Sequence, residues 1–261
     1  MRLMIRTAAL SMSAVMAFAV TGCFGHAKAT PANLASVCEE LGAEECDYDS
    51  YIAKQSDPSS LYGDPSDAVK KLEDGYYCTV SGSDIEDILN KAEKNSMTEL
   101  NMLIDSFNEV SDKEWNPGEL TYDNYGSMEE MTSYSSISTG LSGISYCYVT
   151  SFEFDSKSAA ESYYDFQTEH ADDADELLDS QNWGFESKTK DGNNNGIDYF
   201  VYQMNMSSVS EVEMNSYALI LRDKDCVTTF LIIDMAVKKG YRTANKILDK
   251  MGIITLDEIM E

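Results

Sequence analysis

Ile144 to Phe154 reads ISYCYVTSFEF, and Ser158-Ala-Ala-Glu161 follows three residues later. β-branched and aromatic residues fill the first stretch, as a pleated, half-buried strand requires. Ser158 and Glu161 have the spacing of a capping box, in which a hydroxyl and a carboxylate satisfy amides left open at a helix start. Ala160, Tyr164, Ala171, Ala174 and Leu178 carry the apolar positions of that helix. The chain therefore steps from strand to helix. Downstream, Phe185 to Lys190 and Tyr199 to Met204 flank the turn Asp191-Gly-Asn-Asn-Asn-Gly196 and read as a hairpin. Tyr217 to Leu221 and Val227 to Ile233 form another pair. Tyr241, Ala244, Ile247, Leu248 and Met251 then share one helical stripe stopped at Gly252, and Thr255-Leu-Asp-Glu258 caps a terminal turn. This order of strand, helix, several strands and helix predicts an α+β fold, an antiparallel sheet with helices packed on one face.

Upstream, the reading is mainly helical. Leu34, Val37, Cys38 and Leu41 fall at helical spacing before Gly42, and Pro65 opens a helix through Ala68, Val69 and Leu72 to Gly75. Tyr76 to Val80 reads as a strand, while Asp47 to Tyr62 reads as a loop. Ser83-Asp-Ile-Glu86 and Ser96-Met-Thr-Glu99 are two further capping boxes, each leading an amphipathic run. Residues 32–110 are thus expected as a smaller, mainly helical part and 141–261 as the α+β domain. Between them, 111–140 contains Asn116-Pro117-Gly118 and the Ser/Thr-rich run Thr132 to Thr139, the composition of a loop or linker. Tyr77-Cys78-x-Val80 and Tyr146-Cys147-x-Val149 look alike, as a degenerate duplication or a shared strand propensity would make them.

The first 23 residues, MRLMIRTAALSMSAVMAFAVTGC, have a basic start at Arg2 and Arg6, an apolar run from Ala8 to Val20, and small residues before a cysteine. That is the layout of an export signal. Val20-Thr21-Gly22-Cys23 resembles the lipobox of bacterial lipoproteins. The resemblance implies cleavage between Gly22 and Cys23, a diacylglycerol on the Cys23 thiol, palmitate as a further acyl group, and residence at the cell membrane outside the cytoplasm. Gly22 before Cys23 also suits ordinary signal cleavage. A spanning anchor fits poorly, because the apolar run is about 13 residues where a membrane helix needs about 20. Residues 1–22 are therefore read as the signal peptide and 23–31 as a short tether.

The chain carries 19 basic and 46 acidic residues, and removal of 1–22 takes away Arg2 and Arg6 and leaves a net charge of −29. Such an excess repels nucleic acid and anionic lipid, since both need clustered Lys and Arg. Of the six cysteines, Cys23 is assigned to lipid; Cys38, Cys46, Cys78, Cys147 and Cys226 remain, an odd number. Cys38 and Cys46 are close enough in sequence to bridge, and the other three lie in apolar or tyrosine-rich runs as buried residues would.

No complete catalytic constellation is legible. Asp191, Asn193 and Asn195 followed by Gly196 match the first half of a calcium loop, but its twelfth position is Tyr202 and strands flank it where helices belong. Ser187-Lys-Thr-Lys190 fits the Ser-x-x-Lys string of penicillin-recognising enzymes without its companion strings. His26 and His170 are the only histidines. With no Cys/His cluster and no phosphate-binding glycine loop, the sequence points to no cofactor and no metal. Trp115, Trp183 and the tyrosines are candidates for a sugar-stacking platform as well as for sheet packing. The expected function is a non-catalytic binding or interaction module with a protein or glycan partner in the envelope. An enzyme acting on envelope polymers or glycans and a solute-binding component of a transporter are the alternatives.

Overall fold

The computed structural model describes residues 27–56, 65–90, 122, 124–140, 143–180, 185–207 and 213–261. The chain runs α1 (Pro31–Leu41), β1 (Glu44–Glu45), α2 (Tyr48–Ser56), α3 (Pro65–Asp74) and β2 (Tyr76–Ser81). A helix α4, described over 83–90, comes next. After a 3-10 turn at Tyr125–Ser127 follow β3 (Met128–Gly140), β4 (Gly143–Phe154), α5 (Lys157–Ser180), β5 (Phe185–Asn194), β6 (Ile197–Ser207), β7 (Glu213–Asp223), β8 (Cys226–Met235), α6 (Lys239–Met251) and α7 (Leu256–Met260). The signal segment with Gly22 and Cys23, His26, the helix expected from Ser96, Trp115 and Trp183 lie outside the described residues.

The strands form one eight-stranded sheet in the order β1-β2-β3-β4-β8-β7-β6-β5. β1 pairs parallel to β2, and every other pairing is antiparallel. The fold is α+β, as expected, with α1 to α3 leading in. Two expectations about its plan are corrected. The stretch expected as a linker contains β3, which joins β2 to β4 by antiparallel pairing on both sides, so residues 32–110 and 141–261 share a single sheet. The helices, expected on one face, occupy both. Successive strand residues point to opposite sides. Val149, Leu219 and Phe230 pack with Val37 of α1 and Leu248 of α6. Phe152, Ile220 and Val227 pack with Ala160 and Tyr163 of α5 on the other side.

Local signals explain the element ends. The Thr30 hydroxyl accepts from the Asn33 amide at 3.0 Å to open α1, and Gly42, at φ 82°, closes it in the left-handed region that glycine enters without steric cost. Both bonds of the capping box expected at Thr255 and Glu258 are present. At β4 to α5 the cap is Ser156, whose hydroxyl accepts from the Ala159 amide, two residues before the serine read from sequence.

The thiols of Cys38, Cys46, Cys78, Cys147 and Cys226 are all free. The bridge expected between Cys38 and Cys46 is overturned by geometry: Cys38 is buried beneath one sheet face with α1, whereas Cys46 packs against a third cluster around Tyr51, Tyr76 and Cys78. The two Tyr-Cys-x-Val strings are not equivalent either. Tyr77 is in register with Tyr134 and through it with Val149. It therefore shares a face with Cys147, whereas Cys78 shares one with Tyr146, so the strings present their residues to opposite sides.

Candidate functional site

On the α5 face, no helix among the described residues covers the middle of the sheet. Between α2 and α5 a groove crosses the strands in two adjoining compartments of about 320 and 370 Å³ that share Tyr148 and Thr150. Tyr48, Tyr51 and Ile52 of α2, with Leu89 of α4, form one wall; Gln167 of α5 borders the other end. The floor includes Tyr148 and Thr150 of β4 and Thr229 and Leu231 of β8. Register places Tyr148 opposite Leu231 and Thr150 opposite Thr229, so aromatic, aliphatic and hydroxyl groups form a small square on adjacent strands.

Leu231 is 46% exposed and Ile52 38%, the two large apolar side chains left open among the described residues. The rings of Tyr146 and Tyr148 stack at a centroid distance of 6.0 Å and an interplanar angle of 11°. Burial, with Tyr76 and Tyr146 nearby, pushes the Tyr148 phenol up to about 12, so it is a neutral hydrogen-bond donor at any physiological pH. Ser133 and Thr150, which both line the groove, share a hydrogen bond of 3.2 Å. None of the described residues lining either compartment is charged, although a quarter of the chain is.

A larger depression of about 520 Å³ lies between α3 and β1, lined by Gly42, Glu44, Lys70, Lys71, Asp74 and Gly75. The charges of both signs and the absence of aromatic rings among its described lining residues make it an ordinary solvated edge. The groove better fits the apolar site with a few placed polar groups that ligands use.

The sequence candidates lie elsewhere. Asp191, Asn193 and Asn195 sit at the β5–β6 hairpin, where the Asn193 Oδ1 accepts from the Gly196 amide at 3.1 Å and the Asn193 Nδ2 donates to Asp198 at 2.6 Å. Asn195, at φ 53°, donates its side-chain amide to Asn194. These side chains build the turn. Asp198 in turn receives both Nε and Nη2 of Arg222, at 3.0 and 2.6 Å, and the Arg222 Nη1 reaches Glu161 of α5 at 3.0 Å. Burial raises the Asp198 carboxyl, but the Asn193 and Arg222 hydrogen bonds outweigh it and hold the group below the usual range.

Ser187 and Lys190 are three residues apart on β5 and so point to opposite faces; the Lys190 Nζ donates to the Ile259 carbonyl. They form no nucleophile and base pair. His170 lies on α5. Among the described residues, the Glu153 carboxyl is pushed up, by burial and then by Asp225, Glu130 and Glu129, yet it stands at the end of β4 and lines neither compartment. Among the described residues, no group of three or more His, Cys, Asp or Glu side chains is placed to hold a metal.

The alternation Tyr146-x-Tyr148-x-Thr150 is visible in sequence; that no helix among the described residues lies above them depends on where α2 and α5 land, which no local pattern encodes. Comparison with protein-family models gives no match, and neither does comparison with curated proteins. Among solved structures, the chain aligns with the extracellular domain of PknH from Mycobacterium tuberculosis at 10% identity and a TM-score of 0.28, over 48% of this chain and 66% of that one. So low a score does not establish a shared fold.

Proposed function

We propose that this chain is an exported lipoprotein, held at a membrane by a diacylglycerol on Cys23, and that it acts there as a non-catalytic binding module. The groove between α2 and α5 is its binding surface. One observation carries this reading: among the described residues, an uncharged floor of Tyr148, Thr150, Thr229 and Leu231 has no helix over it, in a chain of net charge −27. Leaving a leucine and a tyrosine ring partly in water forgoes their burial, about 1.5–3 kcal/mol for a large apolar side chain, and a ligand recovers it. The absence of charge from the described lining selects against ions. Ring faces beside hydroxyl and amide groups suit a neutral ligand with a flat apolar face and a polar rim, as an oligosaccharide has. The export signal supports an envelope setting, and among the described residues no helix is long and apolar enough to cross a membrane.

Calorimetric titration of the soluble domain with a panel of neutral oligosaccharides tests the groove. At least one is expected to bind, with affinity reduced tenfold or more in Tyr148→Ala and abolished in Leu231→Glu, while both variants melt as cooperatively as the parent. Binding confined to charged ligands, or unaffected by both substitutions, overturns the reading. Mass spectrometry of the native product tests the anchor, since a mature terminus other than an acylated Cys23 removes it.

A further inference from the structure

We infer that one end of the sheet, the end that carries the β5–β6 and β7–β8 turns, is the surface apposed to the lipid bilayer. The inference rests on the lipidation of Cys23 proposed above and adds the direction in which the domain stands. The described end of the tether, at Lys28 and Ala29, is held against the fold. Ala29 is fully buried. Its carbonyl accepts from the Thr228 hydroxyl at 3.0 Å and from the Ser151 hydroxyl at 3.2 Å, and those hydroxyls bond each other at 2.9 Å. The amides of Lys28 and Ala29 both donate to Oδ2 of Asp223, itself only 5% exposed. The Lys28 Nζ donates to the Gly252 carbonyl at 2.8 Å, and the Asn33 side chain donates to the Lys28 carbonyl at 2.7 Å. Lys28 thereby lines a cleft with Asn195 and Gly196 of one turn and Asp223 and Lys224 of the other.

Lengths decide the consequence. Cys23 and Lys28 are five residues apart, a reach of about 18 Å at full extension. Ser151, where Ala29 is held, is eight residues from Gly143 at the other end of β4, about 26 Å along a strand. A lipid on Cys23 can therefore bring the clamped end to the membrane and leaves the β3–β4 end beyond the tether's reach when the sheet stands upright. Charge favours the upright posture, since a body of net charge −29 is repelled by an anionic surface and lying flat would bring more of that charge close. The groove lies on the face opposite the clamp, so it opens sideways, parallel to the membrane.

The test uses the full chain, expressed with its own signal, purified in detergent and reconstituted into phosphatidylcholine vesicles containing one-fifth phosphatidylglycerol. In a Cys46→Ser background, a fluorophore is placed on Asp249→Cys near the clamped end or on Thr139→Cys at the far end, both exposed positions. Headgroup spin-labelled lipid is expected to quench the first several-fold more than the second. Insertion of twenty Gly/Ser residues after Ala27 is expected to bring the two towards equality. Vesicle-bound protein with equal quenching, or stronger quenching at position 139, overturns the orientation while leaving the anchor in place. Protein that neither floats with vesicles nor carries acyl mass overturns the anchor and the orientation with it.

Discussion

Cys46 shows how much a single side chain's surroundings matter in a protein with five thiols beyond Cys23. Cys38, Cys78 and Cys147 are fully buried and Cys226 is 1% exposed, whereas Cys46 is half-buried. Its thiol is raised by burial, lowered by Lys54, and raised again by Glu44, Asp47 and Glu45. Because the thiolate is the reacting form, Cys46 combines access with a suppressed nucleophile. Native protein carrying Cys23→Ser is therefore expected to take up one maleimide, at Cys46, more slowly at pH 7.5 than an unperturbed thiol does. Lys54→Met removes the cation that favours the thiolate and is expected to slow the reaction several-fold. Peptide mapping after timed quenching reads both. Labelling of two or more thiols before unfolding contradicts the burial assigned to the others.

Element by element, the periodic signals were sound, whereas the Ser/Thr-rich run of β3 was deceptive. α1, α3, β2, β4, α6 and both hairpins of the second half follow from helical or alternating apolar patterns closed by Gly42, Gly75 and Gly252. β3 does not, because its sequence, MEEMTSYSSISTG, buries hydroxyls where a strand ordinarily buries carbon. Two of those hydroxyls are satisfied by partners distant in sequence, Thr132 by Thr79 at 3.0 Å and Ser133 by Thr150 at 3.2 Å, so without the neighbouring strands the run reads as a loop. α2 was missed for a related reason, since its apolar stripe is short and completed by packing on β2. The helix α6 was legible, but its start was not. Lys238 supplies no side-chain cap. Asp234, 1% exposed and five residues earlier than α6, instead accepts the Gly240 amide at 2.9 Å and the Tyr241 amide at 3.1 Å. Asp234→Ala leaves one buried and one partly buried amide without acceptors, and at about 1–3 kcal/mol for a buried unsatisfied group the loss is several times that of a surface change. Thermal unfolding is expected to show a drop of about 2–4 °C for each kcal/mol lost. Ligand affinity at the groove should not change, because Asp234 faces the opposite side of the sheet; an unchanged melting temperature disproves the capping role.

The same excess of acid that keeps the whole molecule away from polyanions also strains it. The net charge of the chain is −27, and Glu153 records the strain locally: burial, Asp225 and Glu130 raise its carboxyl. A carboxyl raised on folding contributes stability that is present below its unfolded value, about 4.3, and is lost as pH rises through the raised folded value. Asp198 has the opposite sign. Its lowered carboxyl contributes stability present above about 3.9 and lost as pH falls through the folded value, when protonation breaks the pair with Arg222. Descending from neutrality, the protein first gains as Glu153 protonates, then loses as Asp198 protonates. Maximum stability therefore lies on the acidic side of neutrality. Because the penalty at pH 7 is long-range repulsion between solvated charges, salt screens it; the Debye length shrinks to about 3 Å at 1 M. Melting curves at pH 7 and pH 5, each in low and high sodium chloride, separate the contributions. The melting temperature should be higher at pH 5 than at pH 7 in low salt, and added salt should raise the pH 7 value more than the pH 5 value. A melting temperature that falls from pH 7 to pH 5, or one indifferent to salt at pH 7, would mean that the acidic surface is already compensated by bound cations, and the repulsion that favours the upright posture would go with it.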